Sequence, residues 1–226
     1  MAKDKTGRMH VTVKSGGKRK LSSKLWLERQ LNDPYVMQAK RDGYRSRAAY
    51  KLIEMDDKHR ILKSGMSVVD LGAAPGGWSQ IAAKRVGAVD GKGKVVAIDL
   101  LEMPEIPGVT FAQLDFLDAK APAMLRDMLG GHADVVMSDM AANTTGHRTT
   151  DQLRIQGLVE NAVEFAREVL KPGGVFIAKV FQSGADAALQ AQLKRDFAVV
   201  KHVKPASSRQ DSSERYVLAT GFRGQK

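Results

Sequence analysis

"VVDLGAAPGGWSQ", residues 68–80, reads as a strand, a glycine-rich turn and the opening of a helix. Strand, glycine turn and helix form the unit that opens a doubly wound α/β fold and receives its nucleotide. Pro75 presets the turn, and Gly76 and Gly77 let backbone approach a ligand closely. The N–H groups at the start of the helix are a ready site for an anion. The dinucleotide fingerprint G-x-G-x-x-G is not met, because Ala73 and Ala74 follow Gly72.

Outward from this turn the chain alternates. Strands are expected at Ser67–Leu71, Lys94–Asp99, Val109–Ala112, Ala133–Ser138, Val175–Val180, Ala198–Val203 and Arg215–Thr220. Helices are expected near 77–86, 121–130, 151–170 and 184–195. Such alternation implies a mostly parallel seven-stranded sheet with helices on both faces, the last strand running antiparallel. Lys171-Pro172-Gly173-Gly174 reads as a turn after the 151–170 helix. Before the first strand, Ser22 or Ser23 caps a short helix that Asn32-Asp33-Pro34 ends, and a second helix spans Ser46 to Arg60.

The bulk composition bounds the rest. The chain has 226 residues, 43% hydrophobic and 27% charged, enough for one α/β domain with a full core. Residues 1–20 are expected to be a flexible basic arm and residues 21–226 a single domain. Cysteine is absent, which excludes disulfides, thiolate metal sites and a cysteine nucleophile, and suits a cytoplasmic protein. The five histidines are scattered without ligand spacing, so no metal is expected. No run of 18 apolar residues offers a membrane span, and the N-terminus lacks the apolar core of a secretory signal. Net charge is +11, and the first 33 residues carry nine Lys/Arg against three acids. That bias points to a polyanionic partner, nucleic acid before a membrane surface, with a solubilising tail as the plainer alternative. A monomer is expected.

Acids at the strand ends narrow the cofactor. Asp99 closes the second strand, 22 residues after Gly77, and suits a ribose diol. Asp115 follows the third strand and is placed to accept from an adenine amino group. S-adenosylmethionine fits this turn better than NAD. It offers a carboxylate to the helix start, a ribose and an adenine, and it has no pyrophosphate.

Lys179 is the anomaly of the fifth strand. It lies within Val175–Val180, apolar on both faces, where an unpaired charge is expensive. Asp139 ends the fourth strand in "DVVMSDMAAN", Glu214 opens the last in "SSERYVLATG", and Lys51 lies on the helix before the first in "SRAAYKLIEM". If the last strand is antiparallel, two lysines and two carboxylates converge on one rim, and the pairing offsets the burial of Lys179. A structural ion pair with ordinary surface neighbours is the plainer alternative. Methyl transfer from a sulfonium is an in-line displacement, so the acceptor must be positioned and must lose a proton. A free lysine, with a pKa of about 10.4, is protonated at pH 7. Desolvation, Lys51 and the sulfonium push Lys179 down while Asp139 and Glu214 push it up. Lys179 then serves as general base, or it orients the lone pair of a ribose hydroxyl. Pyrimidine C5 methylation lacks its cysteine here. Exocyclic-amine methylation lacks Asn-Pro-Pro-Tyr, the sequence after strand four being Asp139-Met140-Ala141-Ala142.

"DLGAAPGGWSQ", "SDMAAN", "AKVFQ" and "SRAAYKL" together resemble the FtsJ-like RNA 2′-O-methyltransferases, a heat-shock family. The resemblance runs in matching motif order from about Leu25 to Gly221. It implies a Rossmann-like fold, S-adenosylmethionine as cofactor, and a catalytic Lys–Asp–Lys–Glu set at Lys51, Asp139, Lys179 and Glu214. It places cofactor contacts at Gly76, Trp78, Asp99, Asp115 and Asp139, beside Gly72 of the turn. It implies a ribose in RNA as acceptor, a uridine of large-subunit rRNA in the assembled subunit; relatives act on tRNA or mRNA caps. Two departures stand out. Ala142 replaces a proline of the family motif, and the basic arm is longer than in compact members. Arg45, Arg47, Lys201, Lys204 and Arg209 are candidate phosphate contacts. Two other classes compete: a non-catalytic ribosome-assembly factor, against which the complete set argues, and a nicotinamide oxidoreductase, against which the missing fingerprint argues.

Overall fold

A computed structural model of the chain describes residues 11–13, 21–141, 148–181 and 187–224. The arm expected over residues 1–20 lies outside the described residues except at 11–13, and Ala142 also lies outside them. The chain divides into two compact units, residues 1–47 and 48–226.

The first unit holds α1 (Leu21–Leu31) and α2 (Pro34–Arg41). The Asn32-Asp33-Pro34 stop also starts α2, a helix the sequence reading did not expect. Asp33 caps it by accepting from the Tyr35 N–H at 3.0 Å. Pro34 fills the first helical position, where no N–H is needed. The Arg47 guanidinium bonds to Asp33 and lies 5.5 Å above the Tyr35 ring, so it is engaged internally. The Asn32 side-chain amide pairs with both the N–H and the C=O of Val11, each at 2.9 Å. Glu28 accepts from the Val13 N–H at 3.0 Å. Residues 11–13 are therefore tied down.

The second unit opens with α3 (Ala48–His59) and continues β1 (Ser67–Leu71), α4 (Gly77–Val86), β2 (Lys94–Asp99), β3 (Val109–Gln113), α5 (Ala121–Leu129) and β4 (Ala133–Ser138). Then come α6 (Arg148–Val169), β5 (Leu170–Phe181), α7 (Ala187–Asp196), β6 (Phe197–Val203) and β7 (Glu214–Phe222). The seven strands form one sheet in the order β3-β2-β1-β4-β5-β7-β6. The first five are parallel, and β7 runs antiparallel to both β5 and β6. Val69, Leu71, Val136, Ala178, Val217 and Ala219 share one core cluster with α5, α6 and α7. Their alternate neighbours face the other way, where Trp78 of α4 meets Tyr216 of β7 with ring centroids 5.5 Å apart. The turn expected at Lys171–Gly174 is instead a bulged start of β5. Leu170 already pairs with Ala133, and the ladder resumes at Val175 with Val135. Gly173 takes φ +85 inside that bulge. No helix among the described residues is long and apolar enough to cross a membrane.

Candidate active site

The carboxyl ends of β1, β2 and β4 meet around a cleft of about 300 Å³. Gly72, Asp99, Asp115 and Asp139 all line it, with Ile98, Phe116 and Met140 supplying apolar wall. Gly72 has to be glycine. It sits at φ +76, and a Cβ there would lie 2.6 Å from Met140 Cγ. Gly76, at φ +106, caps α4 from outside the cleft lining. Asp99 braces the loops on either side, accepting from the Ala74 N–H at 2.9 Å and the Leu101 N–H at 2.8 Å. Asp115 holds its own turn through the Leu117 N–H at 2.9 Å.

Trp78 does not line the cleft. Its ring is buried, and its Nε1–H donates to the Ala48 carbonyl at 2.9 Å. Its side chain is thus a packing element under Tyr216, and only its main-chain N–H, at the start of α4, is left for a ligand.

Beneath the turn, Asp70 is wholly buried and accepts from the Ser79 hydroxyl at 2.6 Å. Burial pushes its carboxyl up to about 7; the Ser79 hydrogen bonds oppose this, and the charges of Asp139 and Asp99 add to it.

The four expected catalytic residues do come together, as two ion pairs. Lys179 Nζ donates to Asp139 Oδ1 at 3.1 Å and to the Asp139 main-chain carbonyl at 2.6 Å. Lys51 Nζ donates to Glu214 Oε1 at 2.5 Å. Sheet register explains the first pair: Ser138 sits opposite Ala178, so Asp139 leaves β4 beside Lys179. The antiparallel β7 supplies the second, by setting Glu214 opposite Phe181 on the same rim.

Tyr216 joins the two pairs, and the sequence reading missed it. Its hydroxyl donates to Asp139 Oδ1 at 2.8 Å and accepts from Lys51 Nζ at 3.2 Å. It lies directly opposite Lys179 in the ladder. The signal was present, because residues two apart on a strand share a face, and Tyr216 follows Glu214 by two. Burial, then the Asp139 and Glu214 charges, lift the phenol well above its ordinary value, so it remains an O–H donor. Burial raises the Asp139 carboxyl, but Lys179, Lys51 and the Tyr216 hydrogen bond outweigh it and hold the group below its ordinary value. The site therefore keeps a carboxylate at its centre.

A larger concavity of about 720 Å³ lies between α6, α7 and the end of β7, lined by Arg167, Lys194, Arg195 and Arg223 with Glu164, Glu168 and Asp196. It has neither a glycine turn nor parallel-strand carboxyl ends, so the smaller cleft is the better ligand site. Among the described residues, no group of three His, Cys, Asp or Glu side chains is placed to hold a metal ion. Of the candidate phosphate contacts, Lys204 is engaged internally, donating to the carbonyls of Gln210 at 3.2 Å and Ser212 at 2.9 Å.

Six strands running one way, an antiparallel β7 inserted between β5 and β6, and a glycine turn after β1 define the Rossmann-like methyltransferase class. Comparison with known proteins agrees. The FtsJ-like methyltransferase family matches residues 44–222. Ribosomal RNA large subunit methyltransferase E of Rhodopseudomonas palustris (strain BisB5) is 83% identical over 224 residues, covering 99% of this chain and 95% of that protein. The protein of that name from Afipia carboxidovorans is 82% identical, covering 99% and 100%. A solved ribosomal RNA methyltransferase of Plasmodium falciparum superposes with a TM-score of 0.71 at 30% identity, covering 80% of this chain and all of that one. The chain belongs to the FtsJ-like methyltransferase family.

Proposed function

We propose that the protein methylates the 2′-oxygen of a ribose in large-subunit ribosomal RNA, a uridine in the assembled subunit, with S-adenosylmethionine as donor. The observation that carries this reading is the Lys179–Asp139 pair, joined through Tyr216 to Lys51–Glu214 at the edge of the cleft. Relatives more than four-fifths identical bear the name ribosomal RNA large subunit methyltransferase E, which supports the acceptor.

The cleft residues suit such a donor. Asp99 and Asp115 offer carboxylate oxygens to ribose hydroxyls and an adenine amino group. The Gly77 and Trp78 main-chain N–H groups at the start of α4 suit a carboxylate, and Ile98 and Phe116 suit a flat ring. When bound, the donor supplies an electrophilic methyl on a sulfonium. The protein's own part is positioning and proton handling. Lys179, fixed by Asp139, would hold the acceptor hydroxyl with a lone pair toward the cleft, or take its proton after first releasing one of its own to water. Transfer would exchange the donor's S–C bond for a C–O bond, and the hydroxyl proton would leave to water, directly or through a Lys179 that has first released a proton of its own. Asp139 and Glu214 balance the two lysines, so the buried rim carries no net excess charge.

The test is transfer of labelled methyl from S-adenosylmethionine to large ribosomal subunits, free rRNA, tRNA and capped RNA, with the label then mapped to ribose or base. Ribose label on large subunits, abolished in Lys179→Ala with donor binding intact, is expected. Ribose label only on tRNA or caps would replace the acceptor. Donor binding without transfer to any of them would overturn the reading in favour of an assembly factor.

A further inference from the structure

The cleft reaches the catalytic group through Asp139. The other end of the group, Glu214, is walled by the connection between β6 and β7, residues 204–213. That connection is tightly braced. The Ser208 N–H donates to Pro205 O at 3.0 Å and the Ser212 N–H to Arg209 O at 3.1 Å, two successive tight turns. Lys204 Nζ closes it through the Gln210 and Ser212 carbonyls. Ser207 and Ser208 are both buried.

Two residues of α3 hold this stretch of chain at both ends. Lys51 grips Glu214, as described. Three residues further on the same helix face, Glu54 accepts the Ser207 N–H with both carboxylate oxygens, each at 3.1 Å. The neighbouring Ser208 hydroxyl then reaches Glu214 Oε1 at 3.4 Å, the same oxygen that Lys51 holds. Among the described residues, Glu54 makes no hydrogen bond to Lys51, Asp139, Lys179, Glu214 or Tyr216.

We infer that Glu54 is a positioning residue for methyl transfer: it anchors the β6–β7 connection so that Ser208 fixes Glu214, and through Glu214 it sets the place of Lys51 on the acceptor side. The inference rests on the reading of the Lys–Asp–Lys–Glu group as catalytic. A carboxylate is suited to the task, because a charged acceptor on a main-chain N–H makes a strong hydrogen bond that leaves the helix and the connection little freedom. Displacing a reacting group by about 1 Å costs roughly a hundredfold in rate.

The experiment compares wild type with Glu54→Ala, Glu54→Gln, Ser208→Ala and Glu54→Ala/Ser208→Ala, all on the best acceptor, with donor affinity measured by calorimetry. Glu54→Ala should lower kcat roughly ten- to hundredfold, with donor Kd within about twofold of wild type, since no donor-cleft residue is touched. Glu54→Gln, which keeps one acceptor oxygen, should fall between. Ser208→Ala should lower kcat less, and the double variant should be no slower than Glu54→Ala, because both act on one path. Unchanged kcat in Glu54→Ala, effects that multiply in the double variant, or loss of donor binding alongside kcat would each overturn the inference; if Glu54→Ala does not fold, Glu54→Gln is judged by the same criteria. Lys179→Ala in parallel separates the two claims. Full transfer by Lys179→Ala would sink the catalytic reading itself, whereas a dead Lys179→Ala beside a fully active Glu54→Ala would sink only the role of Glu54.

Discussion

Lys179 is 8% exposed on a strand flanked by parallel β4 and antiparallel β7, and its setting makes that tolerable. One carboxylate and one main-chain carbonyl of Asp139 take its protons, so no charge is left bare. Tyr216 matters for the same reason. Tyr216→Phe keeps the ring against Trp78 but removes the donor to Asp139 Oδ1. It should slow transfer about tenfold while changing unfolding stability by about 1 kcal/mol. It should also shift the acid limb of the kcat profile. Asp139 is held low, so activity that needs its carboxylate is present above its pKa and lost as pH falls; losing one stabilising hydrogen bond moves that loss to higher pH. Asp70 runs the other way. Raised from 3.8 to about 7, it binds its proton more tightly in the folded state than in the unfolded chain. Its contribution to stability is full below pH about 4 and is lost as pH rises through about 7, on the order of 4 kcal/mol in all. Urea unfolding of Asp70→Asn against wild type should therefore show the variant gaining relative stability between pH 4 and pH 8.

At the scale of elements, the turn between β1 and α4 carries the sharpest demand. Gly72→Ala would put a Cβ 2.6 Å from Met140 Cγ and 2.9 Å from Met140 Cα at a positive φ. It should cost about 2 kcal/mol by chemical denaturation and weaken donor binding in calorimetry, since Met140 walls the cleft. That turn was legible because glycine and proline act through the backbone alone. β1, β2, β4 and α4 were legible to their ends, the strands as short apolar runs and α4 as a stretch bounded by Gly76 and Gly87. Two elements were misread where one signal serves two purposes. Asn32-Asp33-Pro34 ends α1 but also caps and opens α2. Lys171–Gly174 has the composition of a turn, yet Leu170 is already paired with Ala133, so the residues become a bulge. The four charged members of the site could be placed from strand ends and motif order. Neither Tyr216 nor Glu54 stands out in the sequence, because what they do depends on partners 77 and 153 residues away. Trp78 lay in the right motif, but its ring belongs to packing.

Over the whole molecule, charge is the property that sequence reports best. The excess of cations sits toward the N-terminus, and residues 1–10 alone hold Lys3, Lys5 and Arg8. If they meet phosphates, deleting residues 1–10 should flatten the slope of log K against log salt by about 2 to 3 in filter or calorimetric binding to rRNA, and leave kcat at saturating RNA unchanged. Sheet order has a different kind of consequence. β7 comes after β6 in the chain yet lies inside it, between β6 and β5. Until residues 214–222 are synthesised, β5 has an open edge, β6 has no neighbour, and neither Glu214 nor Tyr216 exists to complete the rim. A growing chain thus carries the cleft-forming ends of β1, β2 and β4 before the rim beside them is complete, and exposes an unpaired apolar strand in the interval. The strand that seals the sheet is also the one that completes the rim, and on the proposed mechanism chains cut before Glu214 should show no methyl transfer.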